Sequence, residues 1–107
     1  METRVPGGDC NAYLGFSAAI IAGLAGIEDK LFPADEFKGN AYEITDPELL
    51  LPSSLSDALE KMRNSDVAKR WLGEDVVEHY YKVLMAQVEM YERTVHSWEL
   101  EYYFDQI

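Results

Sequence analysis

The sequence predicts an all-α fold: a helical bundle of about five helices, with a long loop-rich connection after the first. Three observations carry this expectation. Apolar residues recur at spacings of three and four in two long stretches, which is the period of one helix face. Residues that start helices, Asn11, Ser54, Ser65 and Ser97, stand directly ahead of the helical stretches. Between the first and second stretches, Pro33, Gly39, Pro47 and Pro52 break any regular element.

The elements follow in order. Residues 1–9 read as extended or turn-like, because Pro6-Gly7-Gly8-Asp9 is turn chemistry. Asn11 caps a first helix over 12–30, whose apolar stripe is Tyr13, Phe16, Ile20, Leu24 and Ile27. A second row, Gly15, Ala19 and Gly23, is small throughout. Each glycine inside a helix costs roughly 1 kcal/mol relative to alanine, so close approach of another backbone is the expected reason for it. A helix apolar nearly all round needs cover nearly all round. Residues 31–53 form the long connection, with Leu49-Leu50-Leu51 expected to tuck into the core. Ser54 caps the next helix, with Asp57 at its third position, and this helix runs to about Asn64. Ser65 restarts a short helix that ends at Gly73. The longest helix spans Glu74 to Thr94 with the stripe Val76/Val77, Tyr80, Leu84, Val88 and Tyr91. Ser97 is expected to cap a last helix holding Trp98, Tyr102 and Phe104.

At 107 residues the chain suits a single domain, 1–107, and 48% hydrophobic residues are too many for a disordered chain. A net charge of −11 argues against nucleic acid and anionic membrane surfaces as partners, because both select clustered Lys and Arg. It suits solubility, or an acidic face that meets a basic partner. From Cys10 to Ile27 no residue is charged, nearly a membrane span in length. The run is dominated by Gly and Ala, lacks a positive flank and carries its aromatics inside. A buried helix is therefore expected, not a span or a signal peptide. A single cysteine, Cys10, permits no internal disulfide, which fits a reducing cytoplasm.

Few clusters promise chemistry. Glu28, Asp29 and Lys30 read as a solvated helix end. Glu74, Asp75 and Glu78 complement the dipole at the start of the long helix, and Glu78 stands four residues ahead of Lys82 as a surface pair. His79 and His96 have no partner at metal-ligand spacing. Phosphate-loop, nucleophile-elbow and dinucleotide motifs are absent. Cys10 precedes a helix N-terminus, but no nearby His supports it as a nucleophile. Glu2 and Arg4 alternate with Thr3, so an extended strand turns both to one face. A carboxylate and a guanidinium there suit a divalent cation and a phosphate together.

The stretch Glu2-Thr3-Arg4-Val5-Pro6-Gly7-Gly8-Asp9-Cys10-Asn11-Ala12-Tyr13-Leu14 resembles a segment of glutamine synthetases, in which Glu-x-Arg is followed by a turn and Asp-x-Asn-Pro-Tyr-Leu. Further similarity lies in the pattern from Ala22 to Lys30, in Gly39-Asn40-x-Tyr42, in Leu51-Pro52-x-Ser54-Leu55 and in Trp98-Glu99-x-x-x-Tyr103. It covers essentially the whole chain. Ala12 departs from the family's usual proline, a favourable first helical residue. The Gly7-Gly8-Asp9-Cys10 variant looks closer to the branch that ligates glutamate to other amines.

The resemblance implies the C-terminal helices of a glutamine-synthetase-type catalytic domain. Enzymes of this kind use ATP and Mg²⁺ or Mn²⁺ to make γ-glutamyl phosphate, which an amine then attacks. Glu2 would match a metal-binding carboxylate and Arg4 an arginine contacting the substrate carboxylate or phosphoryl group. The nucleotide site and remaining metal ligands would lie upstream, and one carboxylate cannot hold two ions that each need about six ligands. The chain alone is therefore expected to be inactive and to bind no cofactor. Its uncovered helix faces suggest a homodimer or higher homo-oligomer, or docking onto full-length glutamine-synthetase-like subunits. Alternatives are an active ligase whose missing half comes from another chain, and an unrelated acidic helical adaptor.

Overall fold

A computed structural model of the chain describes residues 5–47 and 49–104. It contains helices α1 (Ala12–Glu28), α2 (Leu55–Arg63), α3 (Asp66–Leu72), α4 (Glu74–Glu92) and α5 (Ser97–Tyr103), with one 3-10 turn at Ala41–Glu43. The expected all-α class holds, and no strand occurs among the described residues. The chain divides into two units, Met1–Pro47 and Glu48–Ile107.

In the first unit, the turn closes with the Cys10 amide donating to the Gly7 carbonyl at 3.2 Å. The Asn11 side chain then accepts from the amides of Tyr13 at 3.0 Å and Leu14 at 3.2 Å, which satisfies two of the unpaired donors at the start of α1. Ala12 takes the first helical position without disturbing this cap. α1 stops at Glu28, short of the expected Lys30, because Lys30 swings to a φ of 53°. That residue closes a double C-terminal cap: Lys30 N–H to Ile27 O at 3.2 Å and Leu31 N–H to Gly26 O at 2.9 Å. A side chain in this left-handed region costs about 1 kcal/mol, offset here by the two carbonyls it satisfies.

The burial expected of α1 from its composition is not found, whereas the uncovered helix faces that the family resemblance implied are present. Only Ala25 is buried along it. Tyr13 is 85% exposed and Ile27 77%, and Phe16, Ile20 and Leu24 face outward with them. The cause is compositional: a nearly all-apolar helix needs partners on most sides, and this unit has no second α-helix among its described residues. Among the described residues no helix is long and apolar enough to cross a membrane.

The second unit is built on α4. Both α2 and α3 pack against it, and they also touch each other. Leu59 of α2 and Val77 of α4 are the buried side chains of this small core. Burying each contributes roughly 1.5–3 kcal/mol. Tyr80, Leu84 and Val88 of the expected stripe are half-buried, whereas Tyr91 at its end is exposed. The caps stand where expected: Ser54 Oγ accepts from the Asp57 amide at 3.1 Å and Ser65 Oγ from the Ala68 amide at 3.1 Å. Gly73 alone separates α3 from α4, with φ 92° and ψ 143°. Only glycine enters that region readily, and so the chain can end one helix and begin the next at one residue.

Two local expectations are corrected. Leu49, Leu50 and Leu51 are exposed rather than tucked in. They carry turn and irregular backbone between Pro47 and Pro52, so their side chains share no single face to bury. The cap of α5 is His96, not Ser97. His96 has extended backbone, and its amide donates to the Glu99 carboxylate at 2.9 Å, the back-reaching half of a capping box. Its ring lies against Tyr91, with centroids 4.2 Å apart, and Nε2 sits 3.2 Å from the Tyr91 carbonyl oxygen.

Candidate functional site

The two residues singled out as site residues, Glu2 and Arg4, lie outside the described residues. The description begins just after them, at Val5, and the segment it shows is closely tied to α1. Cys10 Sγ sits over the first turn of the helix, 3.4 Å from where a Cβ on Gly15 would stand. Asp9 Oδ1 lies 2.7 Å from the corresponding point on Gly7. A side chain at 15 would thus meet the sulfur at contact distance. Gly23 and Gly26 face open space, so nothing in the described structure uses their smallness. Beside this segment Val5, Pro6, Leu14, Ala18 and Ala22 line a shallow hollow with no charged side chain. Such a surface suits apolar contact and offers no acid, base or nucleophile.

The remaining candidates are not brought together. Among the described residues no group of three His, Cys, Asp or Glu side chains could hold a metal ion. His79 stands edge-on to Tyr80, with centroids 6.2 Å apart, and His96 caps α5. Glu74 and Asp75 sit in the first turn of α4. The donor set on view is thus insufficient for a divalent cation, and no step through a metal or nucleotide is assigned to it.

Among the described residues of the second unit, a polar constellation that joins two helices lies where α2 crosses α4. Arg63 Nε donates to Glu78 Oε1 at 2.7 Å and Nη2 to Glu78 Oε2 at 3.3 Å, a forked pair. The guanidinium lies over the Tyr81 ring, 4.3 Å from its centroid. Tyr81 Oη donates to Glu60 Oε1 at 2.5 Å. The hydrogen bonds from Arg63 hold the Glu78 carboxyl below its ordinary value; burial opposes them, and the charge of Arg63 adds a smaller lowering. Tyr81 is pushed up, first by its bond to Glu60 and then by burial. The expected Glu78–Lys82 pair gives way to this arrangement, with Lys82 and Lys69 acting on Glu78 only through their field. Sequence reasoning missed it because its partners are 15 and 21 residues apart. Every member of the group has a partner within it, which suits a clasp between helices better than a reactive site.

The comparisons with known proteins supply what the geometry leaves open. Residues 1–103 match the family described as glutamine synthetase, catalytic domain. A glutamate–isopropylamine ligase from a Pseudomonas species is 39% identical over 107 residues, covering 98% of this chain and 23% of the relative. A gamma-glutamylethanolamide synthetase from Streptomyces coelicolor is 37% identical over 106 residues, covering 99% of this chain and 22% of the relative. A glutamine synthetase from Thermus thermophilus is 37% identical over 108 residues, covering 95% and 24% respectively. The helical chain is a segment of a ligase catalytic domain. It belongs to the glutamine synthetase family, and it spans about a quarter of the length of the curated relatives it matches.

Proposed function

We propose that this chain is the C-terminal helical part of an ATP-dependent glutamate–amine ligase, not catalytic by itself, and that it acts as a self-associating or docking helical module. The observation that carries this reading is α1: a helix whose apolar stripe from Tyr13 to Ile27 faces outward calls for a covering surface. Two relatives, one named for the amine isopropylamine and one for a γ-glutamylethanolamide product, favour an amine over ammonia as the nitrogen donor of the complete enzyme. That enzyme would take ATP and Mg²⁺ or Mn²⁺ and would work in the cytoplasm, which suits a segment with the single cysteine Cys10. The natural cover is a second copy of the chain or a full-length glutamine-synthetase-like subunit.

A second reading rests on Glu2 and Arg4. If they are the metal-binding carboxylate and the phosphoryl-contacting arginine that the resemblance implies, the chain completes a ligase site with residues supplied by another chain. Incubating the purified chain with ATP, Mg²⁺, glutamate and isopropylamine or ethanolamine, in the presence of a full-length glutamine-synthetase-like subunit inactivated at its own matching Glu and Arg, separates the two. The first reading expects no phosphate release above background. Release that disappears in Glu2→Ala and Arg4→Ala overturns it and establishes the second.

A further inference from the structure

We draw no further inference here: the strongest candidate, the exposed apolar face of α1 from Tyr13 to Ile27, belongs to the docking surface already proposed, and nothing in the structure shows what covers it.

Discussion

Arg63 and Glu78, 15 residues apart, are joined by two hydrogen bonds across the α2–α4 crossing, and Arg63 at the same time stacks on Tyr81. A lone exposed ion pair contributes little. This one has a fork, an aromatic face and a second acceptor behind it in Glu60. It also lies beside a core whose buried side chains are few, so its share of the cohesion of this unit is larger than that of a pair on a well-packed domain.

The fork is the part that lysine cannot reproduce. Arg63→Lys keeps the charge but loses the planar double contact and the stacking. Its thermal midpoint should fall by roughly a few degrees, and Arg63→Ala should fall further. Differential scanning or far-UV dichroism during heating reads both. Equal midpoints for Arg63→Lys and the parent would show that charge alone operates.

The same group sets a pH window. Glu78 titrates below its ordinary 4.5 when folded, so its contribution is complete above that value and is lost as pH falls through the lower folded one. Tyr81 titrates above its ordinary 10.0, so its contribution is complete below that value and is lost as pH rises through the higher folded one. Urea midpoints between pH 7 and pH 3 should fall more steeply for the parent than for Glu78→Gln. The relief of repulsion as the other carboxylates of a −11 chain protonate is common to both proteins. Parallel slopes would remove Glu78 from the account.

The contrast between this group and the caps explains what the sequence made readable. Asn11, Ser54 and Ser65 act on amides two or three residues away, so spacing alone locates them. The periodic stripe of α4 offered Val76/Val77 as inward-facing for the same local reason, and of the two Val77 is buried while Val76 is exposed. Arg63 and Glu78 depend on how two helices cross, and the nearer Lys82 is the decoy that local spacing offers. The end of α1 eluded pattern reading because Lys30 adopts a backbone conformation that its residue type does not advertise. At the site, Glu2 and Arg4 stood out through family resemblance more than through spacing, and they lie outside the described residues. The exposure of α1 was half legible: its composition demanded cover, but composition does not say from where.

Lys30 offers a direct test of the cap. With φ at 53° it holds a conformation that glycine adopts without steric cost. Lys30→Gly should stabilise the end of α1 by about 0.5–1 kcal/mol, less whatever flexibility the glycine adds to the unfolded chain. Hydrogen exchange at the Lys30 and Leu31 amides, the two donors of the cap, should slow. Faster exchange would mean that the lysine side chain supports the turn.

The proposed docking surface is tested on α1 itself. Phe16 and Ile20 are 71% and 61% exposed, so neither anchors the described unit internally, and aspartate at either position remains solvated. If α1 is the contact between copies, burying the new carboxylates costs several kcal/mol per ion, and both carry the sign of an already acidic chain. Size-exclusion chromatography with light scattering should find the parent chain as a dimer or larger and Phe16→Asp/Ile20→Asp shifted to monomer, with helical dichroism retained. A monomeric parent would remove self-association and leave docking onto a longer subunit, which co-elution with a full-length relative then measures. An associated double variant would mean that copies meet elsewhere, and the exposed Trp98, Tyr102 and Phe104 of the α5 region would be the next surface to charge.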